Sequence, residues 1–290
     1  MKNKIVLWIA LLFGLHHALC AEILCTSDEK GNWDMVIYNQ DGEILKRLAP
    51  HSSDDYCPTY SPIHKKVLFG SNRDNESRNL FQIDPDTHLI IQLTALPSRD
   101  GHADWSDDGT KIAFQSRRDG NPEVYIMNSD GTAPRRITHS GGFDGTPRWS
   151  PCGTQLTFNT SRHGSPDVYI YDLIKEKETR LTNDKAKDYT GDWSPDGKSI
   201  LFSSDRLGHF QIYTMNWDGS NQTPVIRTPF PLANPSYDAS GKFIACSGFK
   251  DGNWDIFIIT VDGSHIQQVT RTAFNERGPI ILDQAPIRLK

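Results

Sequence analysis

The sequence predicts an all-β fold: a six-bladed β-propeller of four-stranded antiparallel blades, its ring closed by the C-terminal strand joining the N-terminal blade. Three observations carry this. A ruler residue recurs every 44 positions, at Trp105, Trp149, Trp193, Tyr237 and Ile281, with Tyr60 placed 45 before Trp105. Around it each repeat shows strand periodicity punctuated by turn residues, with no helical stripe. Finally, six such units nearly exhaust the chain after its first segment, and repeats of about 40–50 residues with four strands each are the signature of propeller blades.

Each repeat can be read in order. The ruler residue ends a first short strand, as in ADWSDDGTKIAF, PRWSPCGTQLTF, GDWSPDGKSILF and PSYDASGKFIAC, with PTYSPIHKKVLF one repeat earlier. A turn follows, and Gly109, Gly153, Gly197 and Gly241 sit four residues after the ruler because glycine tolerates the positive φ of a tight turn; His64 breaks that rule. Ile200 and Phe202 mark the second strand. Tyr125, Tyr169, Tyr213 and Phe257 mark the third, and Asp130-Gly131, Asp218-Gly219 and Asp262-Gly263 turn into the fourth. Full repeats begin near Cys57, Ala103, Pro147, Asp192 and Pro235. The sixth is split: Ile23-Leu24-Cys25 and Gly31-Asn32-Trp33-Asp34 match Ile244-Ala245-Cys246 and Gly252-Asn253-Trp254-Asp255, while its first strand, with Pro279 and Ile281, comes last. A four-stranded sheet needs neighbours to cover its faces, and closing the ring supplies them while protecting the edges.

Residues 1–21 read as a signal peptide. Lys2 and Lys4 precede an apolar run from Ile5 to Leu15, and Ala18, Cys20 and Ala21 supply small residues before Glu22, with cleavage after Cys20 or Ala21. The apolar run is shorter than the roughly 20 residues a bilayer span needs. Residues 22–290 are then the propeller of an exported, periplasmic protein, expected as a monomer. The net charge of −5, made more acidic by losing Lys2 and Lys4, disfavours nucleic acid as a partner. Four cysteines remain, Cys25, Cys57, Cys152 and Cys246, too few for a disulfide framework. Cys25 and Cys246 occupy matching second-strand positions and are expected as buried thiols.

The phrases WSPDGKSILFSSDRLGHFQIYTMNWDGS and WSDDGTKIAFQSRRDGNPEVYIMNSDGT resemble the repeats of the propeller domain of TolB, the periplasmic component of the Tol-Pal system, over essentially all of the chain after residue 21. The resemblance implies translocation-linked envelope work, in which that family's propeller binds the lipoprotein Pal and its N-terminal portion contacts TolA. TolB proteins carry an α/β domain ahead of the propeller, whereas Glu22 starts directly in a blade here. Only the propeller's role is therefore expected to carry over: binding an envelope protein such as a Pal-like lipoprotein.

Strand direction places the loops between second and third strands on one face with the connections between blades. Five residues before the ruler stand Asp55, Asp100, Asp144, Asp188 and Glu276, with Leu232 in the remaining blade; thirteen after it stand Arg73, Arg118, Arg162, Arg206 and Lys250. Recurrence in nearly every blade makes them structural ion pairs between adjacent blades. The functional alternative is an acidic rim at the channel mouth, drawing a basic segment of a partner or a cation. His102, Arg148 and Tyr189 near the starts of first strands, with Phe143, Phe230 and Phe274 in the connections, break the symmetry and make a mixed aromatic and polar binding surface. No hydrolase elbow, zinc helix, phosphate loop or dinucleotide fingerprint appears, so no catalytic residue, cofactor or metal ligand is assigned. The competing enzyme reading is a metal-dependent oligogalacturonide lyase, as in some TolB-like propellers, with His51, His102, His139, His163 and His209 converging from separate blades.

Overall fold

The computed structural model describes residues 21–74, 77–282 and 287. The leading segment read as a signal peptide, apart from Ala21, lies outside them. β1 (Glu22–Ser27), β2 (Asp34–Asn39) and β3 (Ile44–Leu48) pair in turn and stop one strand short of a blade. β4 (Asp55–Ser61), β5 (Lys66–Ser71), β6 (Asn79–Ile83) and β7 (Ile90–Gln92) form the second blade. The third is β8 (Gly101–Trp105), β9 (Lys111–Ser116), β10 (Glu123–Asn128) and β11 (Arg135–Arg136); the fourth is β12 (Asp144–Trp149), β13 (Gln155–Thr160), β14 (Asp167–Asp172) and β15 (Lys177–Arg180). The fifth is β16 (Asp188–Trp193), β17 (Ser199–Ser204), β18 (Gln211–Asn216) and β19 (Thr223–Pro224), and the sixth β20 (Leu232–Tyr237), β21 (Phe243–Lys250), β22 (Asn253–Thr260) and β23 (Ile266–Gln268). β24 (Glu276–Ile281) pairs antiparallel with β1 and completes the first blade, as the 44-residue register requires.

Burial follows from the stacking of blades. The second strands β9, β13 and β17 are buried almost throughout, because both faces of an inner strand are covered by neighbouring sheets. β8 instead alternates buried and half-buried residues, since one of its faces looks into the channel. The cores accordingly lie between blades. Val168, Ile170 and Leu181 of the fourth blade pack with Trp193, Ile200, Phe202 and Tyr213 of the fifth. Cys25, Val36 and Tyr38 of the first pack with Ala245, Ile256 and Val269 of the sixth, so burial as well as pairing closes the ring. Cys25 and Cys246 are buried free thiols, as expected.

The turn glycines after the ruler adopt φ of 69°, 69°, 69° and 67° at Gly109, Gly153, Gly197 and Gly241. Where His64 breaks the pattern, Lys65 takes the left-handed position at φ 51°. The His64 ring then packs on Trp105 at 5.2 Å between centroids, with Nε2 2.8 Å from the carbonyl oxygen of Gly109 in the next blade. First strands begin a few residues ahead of the expected starts, at Asp55, Gly101, Asp144, Asp188 and Leu232. A β-bulge in each, which the repeat pattern did not reveal, adds length to these strands.

Candidate functional site at the loop face of the channel

The recurrent acid and base residues form one device repeated in four blades. Arg73 bonds Asp55 at 2.8 Å, Arg118 bonds Asp100 at 3.2 Å, Arg162 bonds Asp144 at 2.7 Å and Arg206 bonds Asp188 at 3.0 Å. Each guanidinium also lies over two rings of its own blade, as Arg118 does over Phe114 at 5.0 Å and Tyr125 at 4.8 Å. The pairs therefore lie within blades, which corrects the expected pairing between adjacent blades. The reason is strand geometry: a first-strand start and the following second-to-third loop are neighbours in one sheet. What links blades at these positions is the backbone, because the N–H of Asp100 donates to the carbonyl of Arg78 at 2.8 Å and that of Asp144 to Pro122 at 2.9 Å.

These carboxylates form no exposed rim. Asp55, Asp100, Asp144, Asp188 and Glu276 are all 0% exposed. Burial raises the Asp55 and Asp188 carboxyls, and their arginines oppose that rise. In the first blade the repeat places Glu29 where the others have arginine, and Glu29 pairs with Arg47 instead. Glu276 is left with Thr272, Ser27 and Tyr38 as hydrogen-bond donors, and burial pushes it up to about 7. In the sixth blade Leu232 replaces the acid, and Lys250 lies over the Phe230 ring at 5.9 Å and donates to Gln268.

A second circle of contacts runs along the channel wall, one residue before the ruler. Thr59 donates to the carbonyl of Ala103 at 3.1 Å, Asp104 accepts from the N–H of Trp149 at 2.8 Å, and Arg148 donates to the carbonyl of Gly191 at 3.1 Å. Asp192 accepts from the N–H of Tyr237 at 2.9 Å, and Ser236 donates to the carbonyl of Pro279 at 2.7 Å. Each link joins consecutive blades, and donors alternate with acceptors. Arg148, expected as a partner contact, is thus engaged in holding the fourth and fifth blades together. Burial raises Asp104 to about 6, against the pull of Arg148 and the Trp149 N–H.

Above this circle the bulges set the channel mouth. Cys57, His102, Thr146 and Asn234 hold φ of 48°, 47°, 53° and 53° at equivalent positions, and Gly278 holds 62°. A β-branched residue such as Thr146 rarely adopts that region, which is typical of strain kept at functional sites. Burial would raise the Cys57 thiol, but the His102 imidazole, by charge and hydrogen bond, and the Arg78 and Arg148 guanidiniums bring it down to about 7. Tyr189 is 38% exposed, with its ring 5.8 Å from Phe210, and Phe274 is 39% exposed. Phe230 instead packs inward on Phe257 at 5.3 Å, and Phe143 is half-buried beside Gly145.

The histidines do not converge. His51, His139 and His163 are separately exposed, His209 bonds the carbonyl of Thr228 at 3.0 Å, and His102 stands beside Cys57. Among the described residues no three His, Cys, Asp or Glu side chains are grouped to hold a metal ion, and no helix is long and apolar enough to cross a membrane. The sequence reading missed Arg78, Arg99 and Arg117, which line a cavity of about 530 Å³ at this face. A signal existed: Arg78 stands just before the third strand of its blade, and the matching positions of the other blades carry Trp33, Pro122, Pro166, Phe210 and Trp254.

Six four-stranded blades around a channel, with an irregular loop face and a regular turn face, define a six-bladed β-propeller. Within that class the chain belongs to the TolB beta propeller domain family, whose model matches residues 58–146 and 140–283. An uncharacterized protein of Agrobacterium fabrum is 33% identical over 94 residues, 32% of this chain and 32% of that protein, so the match spans about a third of that relative. TolB from Acinetobacter baumannii superposes with a TM-score of 0.81 at 22% identity over 89% of this chain and 66% of that one. A protein assigned as TolB from Agrobacterium tumefaciens gives 0.70 at 22% identity, over 90% of this chain and 92% of that one. An oligogalacturonate lyase from Vibrio parahaemolyticus gives 0.60 at 14% identity over 87% and 75%. At these identities the structural likenesses establish the fold.

Proposed function

We propose that the chain is a periplasmic, non-catalytic binding propeller that engages a protein of the cell envelope, such as a Pal-like lipoprotein, through the loop face around its channel. The observation that carries this reading is where the six-fold repeat fails. Turns on one face repeat nearly unchanged, whereas the channel mouth on the other collects left-handed residues, an exposed tyrosine and unmatched arginines. A propeller that displays an irregular patch on a regular scaffold is built for recognition, since rigid loops bind without much ordering cost. Family membership supports the location and partner class, together with the charged and apolar leader. The lyase reading is not carried forward, because its histidines stand apart.

The test is capture. Immobilised protein is offered an envelope extract and, separately, the Pal-like lipoprotein of the same organism. Capture weakened by Tyr189→Ala and unaffected by Trp217→Ala, a residue 50% exposed on the turn face, is expected. Capture that depends on Trp217 and ignores Tyr189 would overturn the assignment of the face, and no capture of either kind would overturn the function.

A further inference from the structure

The cavity of about 530 Å³ lies between the second and third blades on the loop face, lined by Tyr56, Asn72, Arg78, Arg99, Gln115 and Arg117 with two serines. We propose that it binds an acidic peptide segment of the protein partner, whose carboxylates are held by Arg78, Arg99 and Arg117. This deepens the function proposed above and rests on it for the partner being a protein.

Charge is the first ground. Among the described residues the lining contains three guanidiniums and no carboxylate. Arg73, Arg118, Arg162 and Arg206 each have a buried acid, whereas Arg78, Arg99 and Arg117 have no ion-pair partner among the described residues. In a chain of net charge −5, three unpaired arginines around one cavity form a local positive focus. Its field reaches the neighbouring Cys57, which feels Arg78 directly.

Preorganisation is the second. Arg78 is not a loose surface side chain. Its Nε donates to the carbonyl of Asp100 at 3.1 Å, and its guanidinium lies over the Tyr56 ring at 5.4 Å. Two glycines make room for it: a Cβ on Gly70 would stand 3.3 Å from its Cδ, and one on Gly101 only 2.8 Å from its Nε. The fork is thereby fixed, with the remaining N–H groups left for a ligand, the arrangement in which arginine binds carboxylate in two parallel bonds. Arg99 and Arg117 are exposed on the connection and loop beside it.

Size and lining select the class of ligand. At roughly 30 Å³ per water, the space would hold more than a dozen water molecules, well beyond one small anion. Tyr56 is the aromatic residue among the described lining, and Arg78 lies over one face of its ring, so that face is not offered to a sugar. The amides of Asn72 and Gln115 match the alternating N–H and C=O groups of an extended peptide.

Fluorescence anisotropy of labelled hexaglutamate tests this directly, with hexaglutamine as the neutral control and oligogalacturonate as a competing anion. Wild type should bind hexaglutamate and not hexaglutamine, with affinity falling as salt rises. The double variant Arg99→Gln/Arg117→Gln removes exposed side chains without touching the core, and Arg78→Gln and Gly101→Ala disturb the fixed fork. Each should weaken binding by about tenfold or more, the scale of a lost hydrogen bond to a charged group, while Arg135→Gln on an outer strand changes nothing. Thermal melts confirm that each variant folds. Equal affinity in wild type and the double variant would overturn the proposal, as would failure of wild type to bind hexaglutamate. Tighter binding of oligogalacturonate than of hexaglutamate would overturn it too and give the cavity to a sugar acid. If hexaglutamate fails while Tyr189-dependent capture persists, this inference falls and the proposed function stands.

Discussion

Asp104 of the third blade accepts the backbone N–H of Trp149 in the fourth at 2.8 Å, across the wall of the channel. The bond lets one blade satisfy a donor on the first strand of the next, which is an edge strand of its own sheet. Replacing Asp104 by leucine strands that N–H in a half-buried wall, and an unpaired buried donor costs about 1–3 kcal/mol. Asp104→Asn keeps an acceptor oxygen and should lose less. Denaturant titration of the two variants checks the order; equal loss would show that the contact is incidental.

Stability should fall as pH rises from mildly acidic to mildly alkaline values. Glu276 is pushed to about 7 and Asp104 to about 6 by burial, above their ordinary values of 4.5 and 3.8. A carboxyl raised in the folded state contributes stability that is complete below its unfolded pKa and lost as pH passes its folded one. For Glu276 the full effect is on the order of 3 kcal/mol. Glu276→Gln should therefore flatten the decline between about pH 5 and pH 8 and make the protein more stable at the upper end. An unchanged slope would remove Glu276 from the cause.

Breaking one half of a buried ion pair should hurt more than removing both. Arg118→Met leaves Asp100 buried without its cation, a loss of about 3–5 kcal/mol. The double change Asp100→Leu/Arg118→Met imitates the sixth blade, where Leu232 stands in place of the acid, and should recover a large part of that loss. A double-mutant cycle by thermal melting measures the difference.

The four thiols among the described residues should sort by position. Cys152 is exposed and Cys57 half-buried at the channel mouth, while Cys25 and Cys246 are buried with their thiols raised by burial. A thiol reagent near neutral pH should modify Cys57 and Cys152 in the native protein and the other two only on unfolding. His102→Gln should slow the Cys57 phase, and Cys57→Ser should abolish it.

The repeat made the blades legible because strand, turn and ruler recur in register: the split blade, the closing strand and the turn glycines all follow from equivalence between copies. What it hid were relations between copies. Gly263 was legible as a turn residue, but its approach to the fifth blade was not: a Cβ there would stand 1.9 Å from the carbonyl oxygen of Val225. Asp144 and Arg162 were legible as a recurring set, yet spacing along the chain does not say whether a partner lies in the same sheet or the next. Arg78 escaped notice for the opposite reason. It is a charged residue at a position where the other blades carry proline or an aromatic ring, a break that shows only when the blades are aligned strand by strand.

Hydrogen exchange of the protein alone and bound to the captured envelope partner tests the central claim most directly, since it reads both faces of the ring at once. Protection on binding is predicted in segments 53–56, 97–102, 143–148 and 186–190 around the channel mouth, with turns 107–109, 129–132 and 217–220 unchanged. Protection confined to those turns, with the channel mouth exchanging as in the free protein, would contradict the account.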